Sequence, residues 1–160
     1  TNYTDMPLLW YPVILLNEAE AKAELGTITQ GDLDKTVNLL LKRAELPAMT
    51  LDPEADTANN MGVSNLIWEI RRCRRCELVC DNNYRYWDLI RWHQLQKLDT
   101  NVNTNANLGA NVSNIAGANQ VNGYLKGVTT RKFDHKYYLY PIPTDELKLN
   151  TIMKQNPNWE

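Results

Sequence analysis

Apolar residues recur at helical rather than strand spacing over most of this chain. From 13 to 25, Leu15, Ala19 and Ala23 stand four apart among glutamates, and Gly26 follows where a left-handed stop is allowed. A second arm is predicted to start at Asp32, a good N-cap. It runs through Leu33, Val37, Leu40, Leu41 and Ala44 until Pro47 ends it. Residues 66 to 80 contain no Gly or Pro and set Leu66, Ile70, Cys73 and Glu77 along one stripe, with Ser64 placed to cap them. A fourth helix is predicted from Tyr84 to Leu98, its packed face carrying Trp87, Arg91, Leu95 and Leu98.

Periodicity then fails. Residues 48–63 and 99–132 read as loops, the second repeating Asn among small residues with Gly109, Gly117 and Gly123. Beyond them Pro141 and Pro143 fix an extended tail, Arg131 to Tyr140 has room for a short strand, and Thr144 is placed to cap a brief turn. The expected fold is mostly α: tetratricopeptide-like helical hairpins with long loops and an extended C-terminal tail. Its parts are a helical hairpin at 12–46, Arg/Trp helices at 64–98, a loop at 99–132 and a tail at 133–160. One hairpin of a helical repeat buries its core only by stacking on neighbours, so partner helices are expected from elsewhere.

Composition narrows the chemistry. Hydrophobic residues make up 43%, enough for a core, and 17 Lys+Arg against 19 Asp+Glu leave a net charge of −2. The basic run Arg71, Arg72, Arg74, Arg75 is therefore local, offset by Glu69, Glu77, Asp81 and Asp88, and nucleic acid is not an expected partner. An ion-pair network is the better account. Arg71, Arg74, Arg75, Arg85 and Arg91 would hold Glu77 and Asp88 by planar forks, with Trp87 and Trp92 shielding the pairs from water. Cys73, Cys76 and Cys80 follow C-x2-C-x3-C, but one continuous helix cannot wrap three thiolates around zinc, so packing is expected and no metal or cofactor. His93 and His135 are the only histidines. No nucleophile elbow or phosphate-cradling glycine loop is present, so an enzyme is not expected.

Four blocks together resemble the C-terminal part of the SusD/RagB family. They are Tyr11-Pro12-Val13-Ile14 with Asn17 to Ala21 and Leu25-Gly26; Ile70-Arg71-Arg72 with Arg74-Arg75 and Glu77-Leu78; Arg85 to Leu89 with Arg91-Trp92; and Tyr140-Pro141-Ile142-Pro143 with Asn150 and Gln155-Asn156-Pro157. Two departures stand out: the turn after Ile14 is shortened, and Cys73 replaces a glutamate. The resemblance implies a surface-exposed lipoprotein of the outer membrane that captures a glycan or peptide without chemistry. It would pass the ligand to a SusC-like TonB-dependent transporter. It also implies a missing N-terminal part of the same protein, carrying the lipid anchor. Trp10, Tyr11 and Tyr124, aromatics at loop positions, are the candidate ligand-binding residues, with core packing as the competing fate. The alternative from another class is a helical-repeat scaffold that binds a protein partner.

Overall fold

The computed structural model describes residues 9–127 and 130–159. It is mostly helical, and the chain divides into two compact units, Thr1–Arg85 and Tyr86–Glu160. No helix among the described residues is long and apolar enough to cross a membrane.

In the first unit α1 (Tyr11–Glu24), α2 (Gln30–Lys35), α3 (Val37–Arg43) and α4 (Asn65–Glu77) enclose one core of Val13, Leu16, Leu33, Val37, Leu40 and Ile70, with Leu15, Ala19, Met49 and Leu78 also buried. Leu16, Leu33, Val37 and Ile70 are fully enclosed, each contributing about 1.5–3 kcal/mol of apolar burial. Ala19, also fully buried, is small enough to let α4 lie close along α1.

Helix ends follow local chemistry. Gly26, at φ +67°, closes α1 in a paired C-terminal motif: its N–H donates to Ala23 and that of Thr27 to Lys22. Ser64 Oγ accepts from the Ile67 N–H, as its spacing predicts. The second arm differs from expectation. Its N-cap is Thr29, and Asp32 is the reciprocal partner of a capping box, accepting from the Thr29 N–H at 2.9 Å while its own N–H donates to Thr29 Oγ1 at 3.2 Å. The arm is also broken at Thr36, whose buried hydroxyl donates to the Asp32 carbonyl one turn back at 2.6 Å and diverts the backbone. Its end precedes Pro47: Glu45 turns left-handed at φ +56°, and Leu46 N–H reaches back to Leu41.

The Asn38 side chain then fastens the next loop. Its amide donates to the Met49 carbonyl at 3.0 Å, and its oxygen accepts from the Met49 N–H at 2.7 Å.

The division between the units falls within α5 (Tyr84–Arg91). The single helix expected to reach Leu98 stops here. His93 adopts φ +52°, its N–H donates to Ile90 and that of Gln94 to Leu89, so only a separate 3-10 helix, Leu95–Leu98, continues. The 99–132 stretch, expected to lack regular structure, contains a sheet of β1 (Leu108–Asn111), β2 (Gln120–Val121) and β3 (Tyr124–Lys126). Its order is β1-β3-β2, all neighbours antiparallel, with Val121 opposite Tyr124. Asn122 and Gly123, at φ +52° and +83°, make the tight turn between β2 and β3.

The tail holds a 3-10 helix, His135–Tyr138, where a strand was expected, because Asp134 caps it from the Lys136 N–H. α6 (Thr144–Leu149) follows, with Pro143 rather than Thr144 at its N-cap.

The capping box makes acid sensitivity local. The Lys22 ammonium at 2.7 Å and the Thr29 donors hold the Asp32 carboxyl well below the usual carboxylate range. A depressed carboxyl stabilises the fold above its unfolded pKa, about 3.9, and that stability is lost as pH falls through the lower folded value. Asp32→Asn should therefore melt earlier than the parent at pH 7, and the gap between the two melting curves, followed by circular dichroism, should narrow steadily below pH 4.

Candidate functional site

The arginine-rich helix works as a cross-link. Arg71, on α4, donates from Nε to Glu20 at 2.9 Å and from Nη2 to Glu24 at 2.8 Å, both on α1. The Glu20 carboxylate is 4% exposed and the Arg71 side chain 11%, so the pair is shielded from solvent screening. Arg74, buried one turn on, donates to Asn17 Oδ1 at 2.8 Å, and Glu77 receives both of its contacts from Arg43 on α3. Arg75 points to the exposed side and Arg85 is half-buried.

In the second unit buried Asp88 accepts from Arg91 Nε at 2.9 Å, and the Arg91 guanidinium lies 4.7 Å from the centre of the buried Trp92 ring. Trp92 lies against that guanidinium, whose side chain stays 42% exposed. Trp87 is 53% exposed and meets the edge of Tyr86 at 5.6 Å.

The cysteines also part from the expected common packed face. Cys73 is half-buried against the core, while Cys76 and Cys80 are exposed. Burial, with Glu77 and Cys76 nearby, pushes the Cys73 thiol up to about 11. No group of three or more metal-ligating side chains occurs among the described residues.

Trp10 and Tyr11 lie at the start of α1, 39% and 67% exposed, and Tyr124 on β3 is 41% exposed. The competing fate, core packing, applies to none of these three. Trp10 and Tyr11 adjoin each other in the first unit and Tyr124 belongs to the second.

Two concavities escaped sequence reasoning. A groove of about 700 Å³ in the first unit runs between α3 and α4, with Leu41, Pro47 and Met49 on one side and Arg72, Cys73 and Cys76 on the other. A smaller cleft, about 280 Å³, lies in the second unit. Its frame is the pairing of 99–101 with 131–133. Asp99 accepts from the N–H groups of Phe133 at 2.8 Å and Asn101 at 2.7 Å, and Thr100 N–H donates to the Arg131 carbonyl at 3.1 Å. Those donors depress the Asp99 carboxyl, which is 8% exposed. The rings of Tyr86, Phe133 and Tyr137 line it together with Leu95 and Leu98. Contacts this distant in the chain leave no periodic trace, although the paired Arg131-Lys132 before Phe133 is visible as a motif.

The tail is stapled by amides. Gln155 accepts from the Ile142 N–H at 2.8 Å and donates to its carbonyl at 2.9 Å, while the Trp159 indole donates to the Leu139 carbonyl at 2.9 Å beneath the Lys136 ammonium.

Two outcomes test these assignments. Arg71→Ala strands Glu20 without that guanidinium and should cost about 3 kcal/mol in urea unfolding, with the Arg71→Ala/Glu20→Ala double variant losing less than the sum of the singles. Iodoacetamide at pH 8, followed by peptide mass spectrometry, should label Cys76 and Cys80 more than about tenfold faster than Cys73, because the thiolate is the nucleophile.

Comparison with known proteins agrees with this architecture. Among solved structures, a SusD-like protein from Bacteroides fragilis superposes with a TM-score of 0.61 and 27% identity over 93% of this chain, which spans 25% of that protein's length. No curated protein matches. The family model described as the SusD family matches residues 1–159, and the chain belongs to that family.

Proposed function

We propose that the full-length protein captures glycan nutrients at the surface of the outer membrane and delivers them to a SusC-like TonB-dependent transporter. The single observation that carries this is the family match over residues 1–159. In this reading an upstream segment carries the lipid anchor, and the helices within each unit act as its frame. Preorganised frames lower the ordering cost of binding.

Trp10, Tyr11 and Tyr124, with their exposed rings, are the proposed stacking residues.

The α3–α4 groove favours a second reading, a scaffold that receives a protein segment along that apolar channel.

A glycan array probed with the full-length protein should return at least one saccharide. Trp10→Ala, Tyr11→Ala and Tyr124→Ala should each weaken that saccharide roughly threefold to tenfold, as expected for one aromatic contact. Silence across the array, together with a stable protein complex isolated from cells, would hand the case to the scaffold.

A further inference from the structure

The cleft of the second unit has a composition that capture of a neutral sugar does not require. Its lining combines three rings, Tyr86, Phe133 and Tyr137, with the aliphatic Leu95 and Leu98 and two cations, Arg131 and Lys132. Phe133 is fixed by edge contacts to His135 and Tyr138, both at 5.4 Å between ring centres, so its orientation is set before any ligand arrives. Tyr137 is 43% exposed, and Tyr86 bonds through its hydroxyl to Tyr140 at 3.3 Å.

The charges are distributed unevenly. Among the described residues the one carboxylate lining the cleft is Asp99, and both of its oxygens are already committed to backbone N–H groups. Arg131 and Lys132 are exposed, and neither takes part in an ion pair among the described residues. The lining therefore carries two cations without an ion pair among the described residues and one anion that is already satisfied. Such a lining favours a carboxylate, which a guanidinium can hold by two parallel hydrogen bonds. The volume, about 280 Å³, falls just short of the usual small-molecule site, which runs from roughly 300 Å³ upward. That suits one ring, with the rest of a chain outside.

We propose that this cleft binds a single acidic sugar ring, a uronate residue of a glycan, its apolar C–H face against the aromatic walls and its carboxylate at Arg131 and Lys132. The proposal rests on the capture reading, which supplies the saccharide. The carboxylate comes from the cleft itself.

The test is calorimetric titration of the full-length protein with trigalacturonate, with its fully methyl-esterified form, and with the free-acid dipeptide Gly-Phe. Trigalacturonate should bind at least about tenfold more tightly than the ester, since one hydrogen bond to a charged group is worth about that factor. Arg131→Gln and Lys132→Gln should each remove roughly that advantage, Tyr137→Ala should weaken acid and ester alike, and Lys148→Gln, an exposed charge outside the cleft, should change nothing. Unchanged melting temperatures separate these effects from misfolding.

Equal binding of acid and ester would overturn the proposal while leaving capture intact. So would acid binding that ignores Arg131 and Lys132. Gly-Phe binding as tightly as trigalacturonate, with the same dependence on Arg131, would assign the cleft to peptide carboxylates and overturn the sugar. No binding here, with no saccharide on the array, would bring down the capture reading as well.

Discussion

A guanidinium shared between two carboxylates on a neighbouring helix is the contact on which the first unit depends. Arg71 reaches Glu20 and Glu24 from α4, and because those acids are four residues apart on one face of α1, a single fork spans both. Such a contact resists both sliding and rotation of one helix along the other, which an apolar interface of Leu16, Ala19 and Ile70 by itself does not. Ala19 sets how near the axes come, and Arg71 sets which residues face each other. The buried charges carry a desolvation cost, so specificity of packing is a better account of the pair than net stability.

The second unit reaches order by a different route. It has few large buried side chains, with Leu89, Trp92 and Leu95 the main ones, and leans on polar side chains that satisfy backbone groups far along the chain. Asp99 serves Phe133, Tyr138 accepts from the Leu95 N–H, and Gln155 serves Ile142. Each replaces a missing ladder partner. One of these clamps, Asp99 on the Phe133 N–H, joins two residues that line the cleft.

What could be read in advance follows from range. The Ser64 cap, the Gly26 stop and the α4 stripe depend on residues three or four apart, and spacing alone exposes them. The hairpin turn at Asn122-Gly123 is equally local, and Asn-Gly is a strong turn signal, but the strands of two to four residues around it are too short to show alternation. Thr36 and His93 interrupt helices through one hydroxyl bond and one left-handed residue, and neither residue type demands it. The cleft lay beyond reach for another reason: Asp99 and Phe133 are thirty-four positions apart, and no period links them.

Gln155 has a consequence for solubility. Between Pro141 and Pro143 the backbone offers one N–H, that of Ile142, and the glutamine amide occupies both it and the adjoining carbonyl. Beside the exposed Leu139 and Tyr140, the two prolines already remove N–H groups to which another molecule's strand could add, and Gln155 satisfies the one that remains between them. A side chain from the same tail fills that place, so the ribbon stays extended without becoming a seed for intermolecular sheet.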